Sequence, residues 1–219
     1  MKRLFLTSSF ADVADLFPLF TKGSCKGKTV TFIPTASIHE TINFYVEDAK
    51  KSLQAMGMSI DVLDISTAMP QEISARIESN DYIYVSGGNT FFLLQELKRT
   101  GADKIIAQQV KAGKLYIGES AGSIVLSPDI GYVRTMDDMD AAPDLKSLSS
   151  LGLVPIYPLP HHTNAPFKET VDNIIATLSD KIALCPISNT QVIAINEDKV
   201  EIWGQSISRH HTKPHDSCK

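Results

Sequence analysis

The stretch Lys114-Leu-Tyr-Ile-Gly-Glu-Ser-Ala-Gly-Ser-Ile-Val-Leu126 passes from an apolar, strand-like segment through Gly118-Glu119-Ser120-Ala121-Gly122 into a second apolar segment. This is the G-x-S-x-G pattern of a nucleophile elbow, in which a sharp strand-to-helix turn lifts one side chain above a sheet. Glycines on both sides suit that turn, since they accept unusual backbone angles and leave room for close packing. A serine with no neighbour is a weak nucleophile, so the pattern acquires chemical meaning only with a base beside it.

Outward from the elbow, short β-rich runs alternate with helix-period segments. Strands are expected at residues 4–7, 29–33, 59–64, 82–85 and 115–118. Ile38, Ile42, Tyr45, Ala49, Leu53 and Met56 recur at steps of three and four, the period of an amphipathic helix. Shorter helical patterns cover 71–77, 91–97 and 105–110. Such alternation predicts an α/β fold with a mostly parallel sheet covered on both faces. Ligands of such sheets bind beyond the carboxyl ends of the strands, where Ser120 would sit. After Ser120 the pattern changes. Further strands are expected near 132–134, 155–159, 183–184, 192–195 and 200–203, with one helix over 167–178. The last two strands, joined by Glu197-Asp198, read as a hairpin.

Composition narrows the class. A chain of 219 residues fits one domain, and no repeat or linker divides it. Its 43% hydrophobic content and near-zero mean hydropathy describe a globular protein. A net charge of −4 gives no electrostatic case for nucleic acid. No apolar run approaches the roughly 20 residues that span a bilayer. The first seven residues carry two basic side chains and a short apolar run, but Asp12 and Asp15 follow, so a first core strand is expected rather than a signal peptide. Cys25, Cys185 and Cys218 support neither a disulfide framework nor a zinc site, which suits a reducing cytoplasm. His210, His211 and His215 lie in a polar tail, from about 206 to 219, that reads as solvated. No metal or organic cofactor is called for.

A serine nucleophile needs a base, a group to orient that base, and donors for the oxyanion. Leu159-Pro160-His161-His162-Thr163-Asn164 offers two histidines at the end of an apolar run. Neighbouring side chains on an extended segment point opposite ways, so at most one of them faces Ser120; spacing alone does not choose which. Asp137-Asp138-Met139-Asp140 supplies candidate orienters, and the order Ser, Asp, His is shared with other serine-hydrolase folds. For the oxyanion, Ala121 follows the nucleophile at a helix start, where unpaired N–H groups gather. A second donor is expected from Val85-Ser86-Gly87-Gly88-Asn89-Thr90, whose paired glycines let backbone approach a ligand; Asn89 or Thr90 would cap the next helix.

Three segments together resemble one family. Val85-Ser-Gly-Gly-Asn-Thr-Phe-Phe-Leu-Leu94 is similar to the G-G-N-T-F-x-L-L signature of the peptidase E and cyanophycinase family of serine peptidases. Tyr116-Ile-Gly-Glu-Ser-Ala-Gly122 resembles its elbow, and Pro160-His-His-Thr-Asn-Ala165 its P-H-F-T-N-A stretch. The likeness runs from about residue 1 to about 205. It implies a three-layer α/β/α domain of the class I glutamine amidotransferase-like, flavodoxin-like kind. It also implies Ser120 as nucleophile, His161 as base, and the Gly88 and Ala121 amides as oxyanion hole. His162 takes the place of a phenylalanine. Asp138, followed by Met139, resembles the N-D-M segment that supplies the orienting aspartate. Other members use a glutamate near a late strand, but Pro186-Ile-Ser-Asn-Thr-Gln191 has no acid there.

Where the family's aspartyl peptidases carry an arginine for the substrate carboxylate, this chain has Val171, in Lys168-Glu169-Thr170-Val171. Valine cannot form the charge-assisted fork, and Lys168 cannot reproduce its bidentate geometry. The expectation is therefore a cytoplasmic serine peptidase for small peptides without strict aspartyl preference. Asn89, Glu119, His162 and Val171 are the candidate substrate contacts. An esterase or amidase with the same machinery, or a non-catalytic peptide or metabolite binder, is the alternative.

Overall fold

The computed structural model describes residues 2–23 and 25–204. The first half of the chain runs β1 (Arg3–Thr7), α1 (Phe17–Phe20), β2 (Thr29–Ile33), α2 (Phe44–Ala55), β3 (Ser59–Val62), α3 (Pro70–Ser79) and β4 (Tyr82–Val85). Next come α4 (Thr90–Thr100), α5 (Ala102–Lys111), β5 (Leu115–Glu119) and α6 (Ala121–Ile124). The chain continues through β6 (Tyr157–Leu159), α7 (Lys168–Leu178), β7 (Leu184–Pro186), β8 (Gln191–Asn196) and β9 (Lys199–Gly204). The main sheet has the order β3-β2-β4-β5-β1-β8-β9. Its first five strands are parallel, and the β8–β9 hairpin adds antiparallel to β1. A separate parallel pair, β6 with β7, lies outside it.

Alternation along the strands builds the layers. In β1, Leu4 and Leu6 enter one core while Phe5 enters the other. Helices α3, α4 and α5 close the first face with Ile73, Ile77, Leu93, Leu97, Ile106 and Val110. The second face is more aromatic: the Phe5 and Phe17 rings meet edge to face at 5.1 Å, and Phe32 stacks on Tyr84 at 4.5 Å. Helices α1 and α2 cover it. A third cluster, around Phe91, Ile124, Tyr132 and Leu159, packs α7 and the β6–β7 pair against α4 and α6. This is an α/β domain of the flavodoxin-like, class I glutamine amidotransferase-like type.

Two expectations change. The strand expected at 132–134 is a 3₁₀ turn over Gly131–Val133, whose Tyr132 and Val133 are buried in the third cluster. Its apolar pair mimics a strand, but no partner strand is beside it. The helical repeat from Ile38 also overshoots, because α2 begins at Phe44 and both Ile38 and Ile42 are exposed. The tail with His210, His211, His215 and Cys218 lies outside the described residues. Cys25 and Cys185 are buried and form no disulfide among the described residues. Among the described residues no helix is long and apolar enough to cross a membrane.

Phe5 is fully buried and its ring lies against Phe10, Phe17 and Phe20. Phe5→Ala should cost about 3–5 kcal/mol of stability, read as a lower urea midpoint at an unchanged slope.

Candidate active site

The end of β5 carries Ser120 at φ 47° and ψ −108°, a conformation that non-glycine residues rarely adopt. The surroundings hold it there. The Ser120 N–H donates to Thr7 O at 2.9 Å, and the Ser123 hydroxyl reaches both Thr7 O and Gly118 O at 2.9 Å. Tyr116, beneath, donates from its hydroxyl to Gly122 O at 2.7 Å. A Cβ on Gly122 would stand 2.1 Å from Val85 O, and one on Gly118 2.7 Å from Gly122 O. Glycine is required at both positions.

The Ser120 hydroxyl lies 2.9 Å from His161 Nε2. On the other side of the ring, Nδ1 lies 3.0 Å from Asn189 Oδ1. An amide oxygen only accepts, so the imidazole proton resides on Nδ1 and the Nε2 lone pair faces the serine. The histidine is fixed by its backbone too. Its N–H donates to Ser8 Oγ at 3.0 Å, and the Asn189 N–H donates to Asn164 Oδ1 at 2.9 Å. Phe167 stacks on the ring with centroids 4.9 Å apart. Burial holds the imidazole below its usual pKa of 6.5, with the Asn189 bond opposing in part. The ring is thus neutral at neutral pH.

Asparagine takes the place that the sequence assigned to Asp138. The Asp138 carboxylate is exposed and accepts the Asp140 N–H at 2.9 Å, capping the short turn Met139–Ala141. Its neighbour Asp137 turns inward to accept the Thr90 N–H at 2.9 Å. In an extended stretch that sends Asp138 outward. Asn189 belongs to the 186–191 segment, which was passed over because it lacks an acid; a neutral acceptor there is the signal that could have found it.

Of the expected substrate contacts, Glu119 alone lines the cleft above Ser120. Asn89 caps α4, accepting from the Phe92 N–H and donating to Asp138 O. Val171 is fully buried in the third cluster. His162 Nε2 points toward Asp172, 4.0 Å from its Oδ1, and Lys168 also pairs with Asp172. Helix α7, which bears Val171, packs against the Gly131–Val133 turn, so the position where the resemblance implied the substrate arginine is turned into the core.

Gly88 has φ 129°, and a Cβ there would meet Ala36 O at 2.1 Å. Among the described residues neither the Gly88 nor the Ala121 N–H donates to a backbone carbonyl. Glu119, fully buried below them, accepts the Phe10 N–H and the Tyr84 hydroxyl, each at 2.9 Å. Burial raises its pKa to about 7, against these hydrogen bonds. The folded state therefore holds a proton that the unfolded chain releases at an ordinary carboxyl pKa. Relative to Glu119→Gln, the wild type should lose stability as pH rises from about 4.5 to about 7, by about 1.4 kcal/mol per unit. Urea titrations of both proteins across that range check this.

The cleft, about 610 Å³, opens above Ser120 and His161. Comparisons with known proteins agree with its chemistry. The model of peptidase family S51 matches residues 4–203. The uncharacterized peptidase Lmo0363 of Listeria monocytogenes is 52% identical over 200 residues, covering 91% of this chain and 97% of its own. Peptidase E of Salmonella arizonae is 38% identical over 138 residues, 63% of this chain and 57% of its own. A 1.5 Å crystal structure of a peptidase E-type protein from Listeria monocytogenes EGD-e superposes with a TM-score of 0.90 at 50% identity, covering 94% of this chain and all of that one. With its family model spanning nearly the whole described chain, the protein belongs to peptidase family S51 and is a serine-type peptidase of the peptidase E kind.

Proposed function

We propose that the protein hydrolyses short peptides through an acyl-enzyme, with Ser120, His161 and Asn189 acting as a chain. The observation that carries this reading is the pair of hydrogen bonds on the His161 ring, 2.9 Å to Ser120 and 3.0 Å to Asn189. Ser120 attacks the scissile carbonyl while Nε2 takes its proton, then returns it to the leaving amine. Asn189 keeps the tautomer and orientation, as an asparagine does in papain-like peptidases. The Gly88 and Ala121 amides stabilise the oxyanion. Cys25 and Cys185, outside any disulfide among the described residues, fit the cytoplasm as its compartment.

Ser120→Ala should lower peptide kcat by about 10⁴-fold or more with the fold retained. Near-normal turnover would overturn the mechanism. His161→Ala should match it, whereas His162→Phe should keep most activity, because the His162 ring faces Asp172.

The pH profile tests the third member. A base must be neutral, so kcat/KM should fall as pH drops through a pKa below 6.5 and stay flat above it. An anion beside Nδ1 favours the imidazolium, so Asn189→Asp should move that limb upward by about one pH unit or more. An unmoved limb would show that Asn189 does not orient the base.

A further inference from the structure

The charge of the cleft is one-sided. Asp12, Glu40, Asp48, Glu119 and Asp137 all line it, and among the described residues no lysine or arginine does. They arrive from five separate segments, so the concentration is a property of the fold and not of one acidic run. Asp48 is paired with Lys51, 3.1 Å away, while Asp12, Glu40 and Asp137 form no ion pair among the described residues. The same cleft is lined by Ser120 and His161. A Cβ placed on Gly87 would lie 3.2 Å from Ser120 Cβ and 3.5 Å from the Tyr45 ring. The Tyr45 phenol is held above its ordinary pKa by burial and by Glu40, Glu119 and Asp137. No group of three among the described residues is close enough to share a metal ion, so the field suits an organic cation. The lining also includes the apolar Ile124, Met136 and Phe167. A side chain with a long aliphatic stem and a charged tip matches both kinds of lining.

Building on the Ser120 mechanism, we propose that the cleft selects a basic side chain on the residue that supplies the scissile carbonyl, so that the preferred substrates are short peptides with lysine or arginine at that position. Asp12 and Glu40 provide the counter-charge. Aspartate there is disfavoured twice, by like charge and by the absence of a cationic partner.

The test compares kcat/KM for matched di- and tripeptides that carry lysine, arginine, norleucine or aspartate at that position. A fluorophosphonate label reports on Ser120 in every variant. Lysine and arginine should exceed norleucine by at least about tenfold and aspartate by about 100-fold. The lysine-to-norleucine ratio should fall toward unity in an Asp12→Asn, Glu40→Gln double variant, chiefly through KM, and should shrink in high salt. Labelling and cleavage with norleucine equal to lysine would overturn the specificity and leave the mechanism standing, and a ratio untouched by the double variant would do the same. No labelling together with no peptide cleavage would overturn the Ser120 mechanism and this inference with it.

Discussion

Everything in this site hangs on one backbone constraint, the positive φ of Ser120 at the end of β5. That conformation is costly for a side chain with a Cβ, by about 1–3 kcal/mol, and persists only where the surroundings over-determine it. Here they do so from three directions. Thr7 on the neighbouring strand receives the Ser120 N–H, Tyr116 grips the turn from within the sheet, and Gly122 lies against Val85 with no room for a methyl group. The strand order that puts β5 between β1 and β4 is thus what aims the hydroxyl.

The partner of the histidine shows a different economy. An aspartate would stabilise the imidazolium strongly, but it would also have to be kept ionised beside a cleft already crowded with carboxylates. A neutral amide supplies the same acceptor with no further negative charge. It leaves burial as the dominant influence on the His161 ring, which stays neutral. Glu119 shows the cost of the alternative: fully enclosed among Phe10, Tyr84 and Gly87, it is pushed toward protonation.

The parallel sheet, the elbow and the closing hairpin were legible in the sequence because each has a local signature: alternation, paired glycines, or a short polar turn between apolar runs. Ser120 and His161 were legible through their motifs. Asn189 was not, since asparagine in a turn is the commonest of residues and its role exists only once β8 has paired with β1. Asp138 misled because motif similarity does not reveal which of two adjacent aspartates points inward. The peptide geometry gives Asp137 the inward position and leaves Asp138 to cap a turn. Val171 marks the same limit: the resemblance implied a substrate-binding position there, but α7 turns it into the core.

The hairpin's place in the sheet has a consequence for how the enzyme comes into being. β1 sits between β5 and β8, and Asn189 lies two residues before β8. A nascent chain that has left the ribosome as far as α7 holds the serine and the histidine, with Ser8 and Phe167 beside the latter, but not the acceptor for Nδ1. In the proposed chain of Ser120, His161 and Asn189, the third member therefore joins the site only when the segment before β8 has followed α7.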